Sequence, residues 1–295
     1  MKLRFWGVRG SLPSPGPETA RYGGNTTCLE VRTDDGKLIL IDGGTGIHPA
    51  ALSLLRSMPV DAYIFITHTH WDHIQGLPFF IPIFVPGNKV NLHGPLDPVS
   101  GDGIERVMNV QMQYSFFPVR EAELRANLHY RSLMPGETVT IGDAVVTPVL
   151  LNHTVVNYGY RVDCNGKSFC FTGDHEPYAN IYAPEDDGHA AYQEIVDKQC
   201  AEMERALAGT DVLVADSSYT PEEYATKAGW GHGTYDSSIA LAHKVGAGTL
   251  YCTHHEPTRS DVALEAALAA ALARNPVAAR NVDIQLAREG LIVEW

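Results

Sequence analysis

Basic side chains are scarce. The 295 residues carry 22 Lys and Arg against 35 Asp and Glu, a net charge of −13. Gripping a long nucleic acid by bulk charge needs many cations to displace counterions. The balance therefore predicts no long nucleic acid as a partner and leaves a small anionic substrate open. Charged residues make up only 19% of the chain and apolar ones 44%, which excludes intrinsic disorder. Cysteine is sparse too. Cys28, Cys164, Cys170, Cys200 and Cys252 are odd in number and share no CxxC spacing. That argues against a disulfide framework and predicts a reduced, cytoplasmic protein. Long apolar runs are missing: three prolines interrupt the ten residues of the most apolar stretch, 77–86. Such a stretch cannot span a bilayer, residues 1–9 have no signal-peptide core, and no membrane is expected. Low-complexity tracts and 20–50-residue repeats are absent as well.

Histidine, by contrast, is plentiful, with thirteen copies. Whether they are scattered or gathered depends on the elements that carry them. Short β-branched or apolar runs predict strands at residues 2–8, 27–33, 38–41, 61–67, 138–151, 158–164, 168–172, 211–215, 249–253, 282–286 and 291–293. Asn165-Gly166 is a two-residue hairpin turn. Helices are predicted at 50–57, 190–207, 234–245 and 261–274, the last two opened by Thr/Ser-rich caps. Residues 86–135 look like an irregular excursion, rich in Pro, Met and aromatics. Interleaved strands and helices predict an α/β sandwich of mixed sheets with helices outside, undivided over 1–295.

The strand at 61–67 runs straight into His68-Thr69-His70-Trp71-Asp72-His73. His68 and His70 are two apart, so an extended segment turns both to one side. Imidazole and carboxylate suit zinc or manganese, and α/β sheets place sites at the carboxyl ends of strands. A solvated loop capped by Asp72 fits poorly after a fully apolar strand. Other strand ends repeat the pattern of an apolar run followed by a ligand type: His153, Asp174, and the pair His254-His255.

HxHxDH followed by lone His, Asp and His at later strand ends resembles the metallo-β-lactamase superfamily. The opening FWGVRGS with YGGNTT, then HTHWDHIQG, NYGYRV and THHEPTRSD, resemble its ribonuclease Z and cyclic-nucleotide phosphodiesterase-like branch. The resemblance implies an αββα four-layer sandwich of two mixed sheets flanked by helices, and two divalent metal ions, zinc first, with manganese or iron as substitutes. It implies that His68, His70 and His153 bind one ion, that Asp72, His73 and His254 bind the other, and that Asp174 bridges them. His254 is chosen over His255 as the first residue after the strand. A homodimer is the usual arrangement of the family.

Gly231-His232-Gly233-Thr234 opens a helix sixteen residues after Asp216. This resembles the His-Ser-Thr element of ribonuclease Z-like enzymes, with Gly in place of Ser. A carboxylate on one ring nitrogen fixes the tautomer and supports the imidazolium; the other nitrogen can protonate a leaving alkoxide. The plainer alternative makes His232 a neighbour of a helix cap and Asp216 a turn former. The implied function is hydrolysis of a small phosphodiester, such as a 3′,5′-cyclic nucleotide, by metal-activated hydroxide, with Asp72, His232 and Asp216 as catalytic residues.

Asn25, Tyr114, Phe116, Phe117, Arg161 and His255 are candidate substrate contacts, although core packing or a surface pair explains several equally well. Residues 176–193 read as an insertion near the metals, a candidate lid. A thioesterase or lactamase, a ribonuclease Z-like nuclease and a non-catalytic sensor are the rivals. The long basic arm by which the nuclease grips tRNA has no counterpart here, and no ligand position is missing, which disfavours the sensor.

Overall fold

The computed structural model describes residues 1–295. The strands are β1 (Lys2–Gly7), β2 (Cys28–Arg32), β3 (Leu38–Ile41), β4 (Asp61–Phe65), β5 (Lys89–Pro95), β6 (Asn127–Leu133), β7 (Val139–Ile141), β8 (Ala144–Leu151), β9 (Asn157–Cys164), β10 (Lys167–Phe171), β11 (Val212–Asp216), β12 (Thr249–Thr253), β13 (Asp283–Leu286) and β14 (Ile292–Glu294). They form two seven-stranded mixed sheets, ordered β14-β1-β2-β3-β4-β5-β6 and β13-β12-β11-β10-β9-β8-β7.

Period-2 side chains explain the layers. In β3 (LILI), Ile39 and Ile41 turn, with Phe65 of the neighbouring β4, toward the opposite sheet, where Tyr160, Phe169 and Val214 complete the central core. Leu38 and Leu40 turn outward under α1 (Ile47–Leu54), the single turn α2 (Trp71–Ile74) and α3 (Ile104–Gln111). Across the molecule, Leu213 and Ala215 of β11 pack outward, on α4 (His189–Leu207), α6 (Tyr235–Val245), α7 (Asp261–Arg274) and α8 (Ala278–Asn281). The remaining short helix, α5 (Pro221–Tyr224), follows β11. The result is four layers, αββα. Strands buried on both faces need near-continuous apolar sequence, which is what made β3, β4 and β11 conspicuous.

β3 to β6 run parallel, as do β10 to β13; two antiparallel pairings return β8 to the sense of β10. The carboxyl ends of β3, β4, β8, β10, β11 and β12 thus supply one rim.

Two expectations need correction. Residues 86–135 are not an excursion: they contain β5, α3 and β6, and β6 pairs in parallel with β5 from Lys89↔Asn127 to Pro95↔Leu133. β6 (NLHYRSL) is an edge strand with alternating exposure, so its polar residues hid it. Residues 138–151 are two strands, not one, folded as a hairpin between Ile141 and Ala144. Residues 177–188, in the segment read as an insertion, carry no helix or strand. The Asn180 side chain donates to the His189 carbonyl at 2.9 Å, and Tyr182 meets Tyr192 edge-on at 5.6 Å, so the segment folds back on the start of α4.

Candidate metal centre

β4 ends in an apolar environment, and the chain then turns His68 inward. His70 has extended backbone and caps α2, whose only turn carries Asp72 and His73. From the second sheet come His153 after β8, Asp174 after β10 and His254 after β12.

Three four-residue groups converge, with ligand atoms within 4.8 Å of one another: His68, His70, His153 and Asp174; Asp72, His73, Asp174 and His254; and, overlapping the second, Asp174, Asp216, His232 and His254. In the second group, His73 Nε2 lies 3.3 Å from Asp72 Oδ2 and 3.2 Å from Asp174 Oδ1, and His254 Nε2 lies 3.2 Å from each of the same two oxygens. In the first, Asp174 Oδ2 is 3.6 Å from His68 Nε2 and 3.9 Å from His153 Nε2, which is 3.1 Å from His70 Nδ1. Four ligands about 2.1 Å from a tetrahedral zinc are about 3.4 Å apart. The spacings match that edge length, and Asp174 gives one oxygen to each group.

Hydrogen bonds fix which ring nitrogens are free. Thr67 Oγ1 donates to Asp42 Oδ2 at 2.9 Å, so its lone pair accepts from His68 Nδ1–H at 3.1 Å. His73 Nδ1–H donates to Asp42 Oδ2 at 2.7 Å. His153 Nδ1–H donates to the Gly231 carbonyl at 2.7 Å. Ser218 Oγ donates to Asp216 Oδ1 at 2.6 Å and accepts from His254 Nδ1–H at 2.9 Å. Each bond leaves Nε2 aimed into the cluster, where it can offer a lone pair once deprotonated, as outer partners of metal-binding histidines do.

His68 Nε2, His73 Nε2 and Asp174 Oδ1 are buried with no hydrogen-bond partner. An unmet buried polar group costs about 1–3 kcal/mol. Three of them facing one another fit a cation-binding site, and the imidazole–carboxylate donor set suits zinc.

The electrostatics divide the groups. Burial pushes His68 well below the usual imidazole range and lowers His70 and His153, so that group presents neutral rings. Burial opposes charge on His254 as well, but Asp174 and Asp72 lift it to about 9. Asp174, Asp72 and Asp42 likewise raise His73 against burial. Asp174 is deeply buried yet held well below the carboxylate range by His254, His73 and His68.

His232 stands at the edge of the cluster. Its Nδ1–H donates to Asp216 Oδ2 at 2.9 Å and lies 3.7 Å from Asp174 Oδ2. Burial lowers the affinity of this ring for a proton; Asp216 and Asp174 more than restore it. Two glycines permit these approaches. A Cβ on Gly10 would overlap the His254 ring, and one on Gly231 would overlap the His153 ring. His254 itself has left-handed backbone, φ 57°, which costs a non-glycine residue about 1–3 kcal/mol and recurs at functional sites.

Five partners escaped the sequence reading: Asp42, Thr67, Ser218, Ser11 and Glu176. Ser11 N–H donates to Asp72 Oδ2 at 2.7 Å. The buried Glu176 carboxylate accepts from Gly229 N–H at 2.7 Å, Gly231 N–H at 2.8 Å and the Tyr224 hydroxyl at 2.6 Å, holding the loop before His232. Asp42 alone had a usable signal, since it too follows an apolar strand.

The expected substrate contacts scatter. Phe116 and Phe117 line a groove beside the cluster; Tyr114 is exposed and outside that lining. Arg161 is taken by Asp163 and the carbonyls of Ala206 and Ala208, beside the β9–β10 turn. His255 is buried with Nε2–H donating to the Ala287 carbonyl at 2.8 Å, which leaves His254 as the ring in the cluster. Asn25 is spent on Glu289, its side chain donating at 3.0 Å.

Residues 37–255 match the beta-lactamase superfamily domain, and the chain belongs to that superfamily. Its relatives lie in the ribonuclease Z and phosphodiesterase-like branch. Ribonuclease Z of Lachnoclostridium phytofermentans is 30% identical over 158 residues, 53% of this chain and 46% of that protein, so the match spans about half the relative's length. Ribonuclease Z of Lacticaseibacillus casei is 25% identical over 288 residues, covering 86% and 84%. The structure of unliganded yeast PDE1 shares the fold, with a TM-score of 0.68 at 16% identity over 100% of this chain and 99% of that one. Membership together with the ribonuclease Z relatives supports a metal-dependent hydrolase.

The ribonuclease Z relatives overturn the exclusion of a long nucleic acid. Net charge is a whole-chain sum, whereas surface charge is screened beyond roughly 8 Å at physiological ionic strength. Binding depends on local patches that the sum does not reveal. No helix is long and apolar enough to cross a membrane.

Proposed function

We propose that the protein is a dinuclear metal-dependent phosphodiesterase, with a small phosphodiester such as a 3′,5′-cyclic nucleotide as a substrate. His68, His70 and His153 would hold one cation, Asp72, His73 and His254 the other, and Asp174 both. When bound, such a pair supplies Lewis acidity and a water acidic enough to attack at neutral pH. The observation that carries phosphoryl rather than carbonyl chemistry is the Asp216–His232 pair at 2.9 Å, next to the shared Asp174.

Asp72 Oδ2 is anchored by Ser11 N–H, leaving Oδ1 to orient the attacking water and take its proton. The new bond forms from that water to phosphorus, and the bond to the departing oxygen breaks. Asp216 holds the His232 proton on Nδ1, and the Nε2 proton passes to the departing oxygen. General-acid help of this kind is worth about 10²–10⁴-fold.

The test is a substrate panel on zinc-loaded protein: bis-4-nitrophenyl phosphate, a 3′,5′-cyclic nucleotide, precursor tRNA, nitrocefin and a glutathione thioester. Hydrolysis of the thioester or nitrocefin alone sinks the proposal. The ribonuclease Z relatives favour a second reading, an RNA phosphodiester, which selective cleavage of the precursor tRNA would support. His232→Ala should cost far more with the cyclic nucleotide, whose leaving group is a poor alkoxide, than with nitrophenolate. Equal losses would remove His232 as the acid.

A further inference from the structure

We propose that the groove beside the HxHxDH segment binds an uncharged, apolar ester group of the substrate; this rests on the phosphodiesterase reading and names the substrate class. The groove has a volume of about 630 Å³. It borders the first ligand group: Thr69, between His68 and His70, lines it, and so does Val155, two residues after His153. An ester group on a phosphorus held at those ligands would reach it from that side.

Its walls are apolar. Trp71 lies within the motif and Phe79 follows it, Val107 and Val110 come from α3, and Phe116 also lines the groove. Trp71 is 78% exposed and Phe116 72%, so both aromatic faces meet water unless a ligand covers them. Pockets of this size lined by apolar side chains hold small organic groups.

Charge narrows the class. Three charged residues line the groove, Asp97, Asp102 and Arg106, so its lining is net negative. Both oxygens of Asp97 are used within its own loop, accepting from Val99 N–H at 2.8 Å and the Ser100 hydroxyl at 2.9 Å. Arg106 faces Asp102 at 3.6 Å. A second anionic group there would lose hydration beside two carboxylates, with only Arg106, itself facing Asp102, to offset it, whereas each methylene buried gains roughly threefold to fourfold in affinity.

The experiment uses 4-nitrophenyl phosphodiesters whose second ester is methyl, butyl, hexyl or benzyl. Water adds at phosphorus, nitrophenolate departs and the alkyl–oxygen bond stays intact, so the series varies only what the groove holds. Calorimetry of methyl and hexyl phosphate with the zinc-loaded protein reads binding without turnover. Both kcat/KM and affinity should rise at least tenfold from methyl to hexyl. Val107→Glu and the surface change Phe116→Ser should each erase the gain, bringing the hexyl-to-methyl ratio toward one. Equal values across the series overturn the groove proposal and leave the phosphodiesterase reading standing. Hydrolysis of none overturns both. Sedimentation as a dimer that Val107→Glu dissociates would show that a second copy covers the groove, and would overturn it too.

Discussion

Asp42 Oδ2 accepts the Nδ1 proton of His73 at 2.7 Å, and Asp216 Oδ2 accepts that of His232 at 2.9 Å. The two carboxylates lie at the ends of β3 and β11, in opposite sheets, and each also orients a second ring through a hydroxyl: His68 through Thr67, His254 through Ser218. Four of the converging imidazoles are thus set by two buried acids that need touch no metal. Asp42→Asn keeps the shape but can present an amide N–H to His73, which disfavours the tautomer with a free Nε2. Zinc affinity should fall about 10–100-fold, the usual effect of removing such a partner. Competition with a chelator measures it; unchanged affinity would refute the orienting role.

The raised rings predict proton release. In metal-free protein His254 stays protonated up to about pH 9, and His73 is raised in the same direction. A cation must displace these protons, so zinc uptake at pH 7 should release protons to the buffer, and affinity should climb with pH until about 9. Titration calorimetry in buffers of different ionisation enthalpy reads the count. The same pairing stabilises the metal-free fold. Its contribution from His254 is complete below the unfolded value near 6.5 and fades as pH rises through about 9. The metal-free Tm should therefore fall over that interval while the zinc-loaded Tm stays level, because bound metal has already taken the rings' lone pairs. A flat metal-free profile would contradict the assignment.

The legible and illegible parts of this site differ in physical kind. HxHxDH and the ligands after β8, β10 and β12 were readable because an apolar strand followed by a ligand type is a local pattern. Asp42 obeys the same rule, but Asp-Gly-Gly also reads as a turn, and its partner is 31 residues away. Glu176 looked like a charge in a solvated loop; its burial comes from backbone N–H groups of a segment more than fifty residues on. Arg161 carried a plausible charge, yet its neighbour Asp163 on the same side of β9 claims it. Burial and pairing across sheets are tertiary facts, and sequence spacing does not encode them.

Glu176 supplies the next test. Its carboxylate gathers three donors, including Gly231 N–H, while the Gly231 carbonyl orients His153. Glu176→Gln brings an amide N–H against one of those donors and loosens the loop from 229 to 232. Stability should drop by about 1–3 kcal/mol. The informative readout is metal stoichiometry: the group containing His153 should lose its tightly bound ion first, while the other keeps its own. Equal weakening of both would make Glu176 a general structural support only.

Gly10 tests whether the first loop is part of the site. A Cβ there would overlap the His254 ring, and the next residue donates its N–H to Asp72 Oδ2. Gly10→Ala must move either the loop or the ring, and His254 is already held in left-handed backbone by the contacts around it. Overpacking of this kind costs about 1–3 kcal/mol. Gly16 is the control, since its backbone is extended and a Cβ there meets nothing within 4 Å. Thermal unfolding and zinc titration should show Gly10→Ala losing both stability and the ion held through His254, with Gly16→Ala matching the parent protein. If Gly10→Ala unfolds at a lower temperature yet binds zinc normally, the loop crosses the site without shaping it.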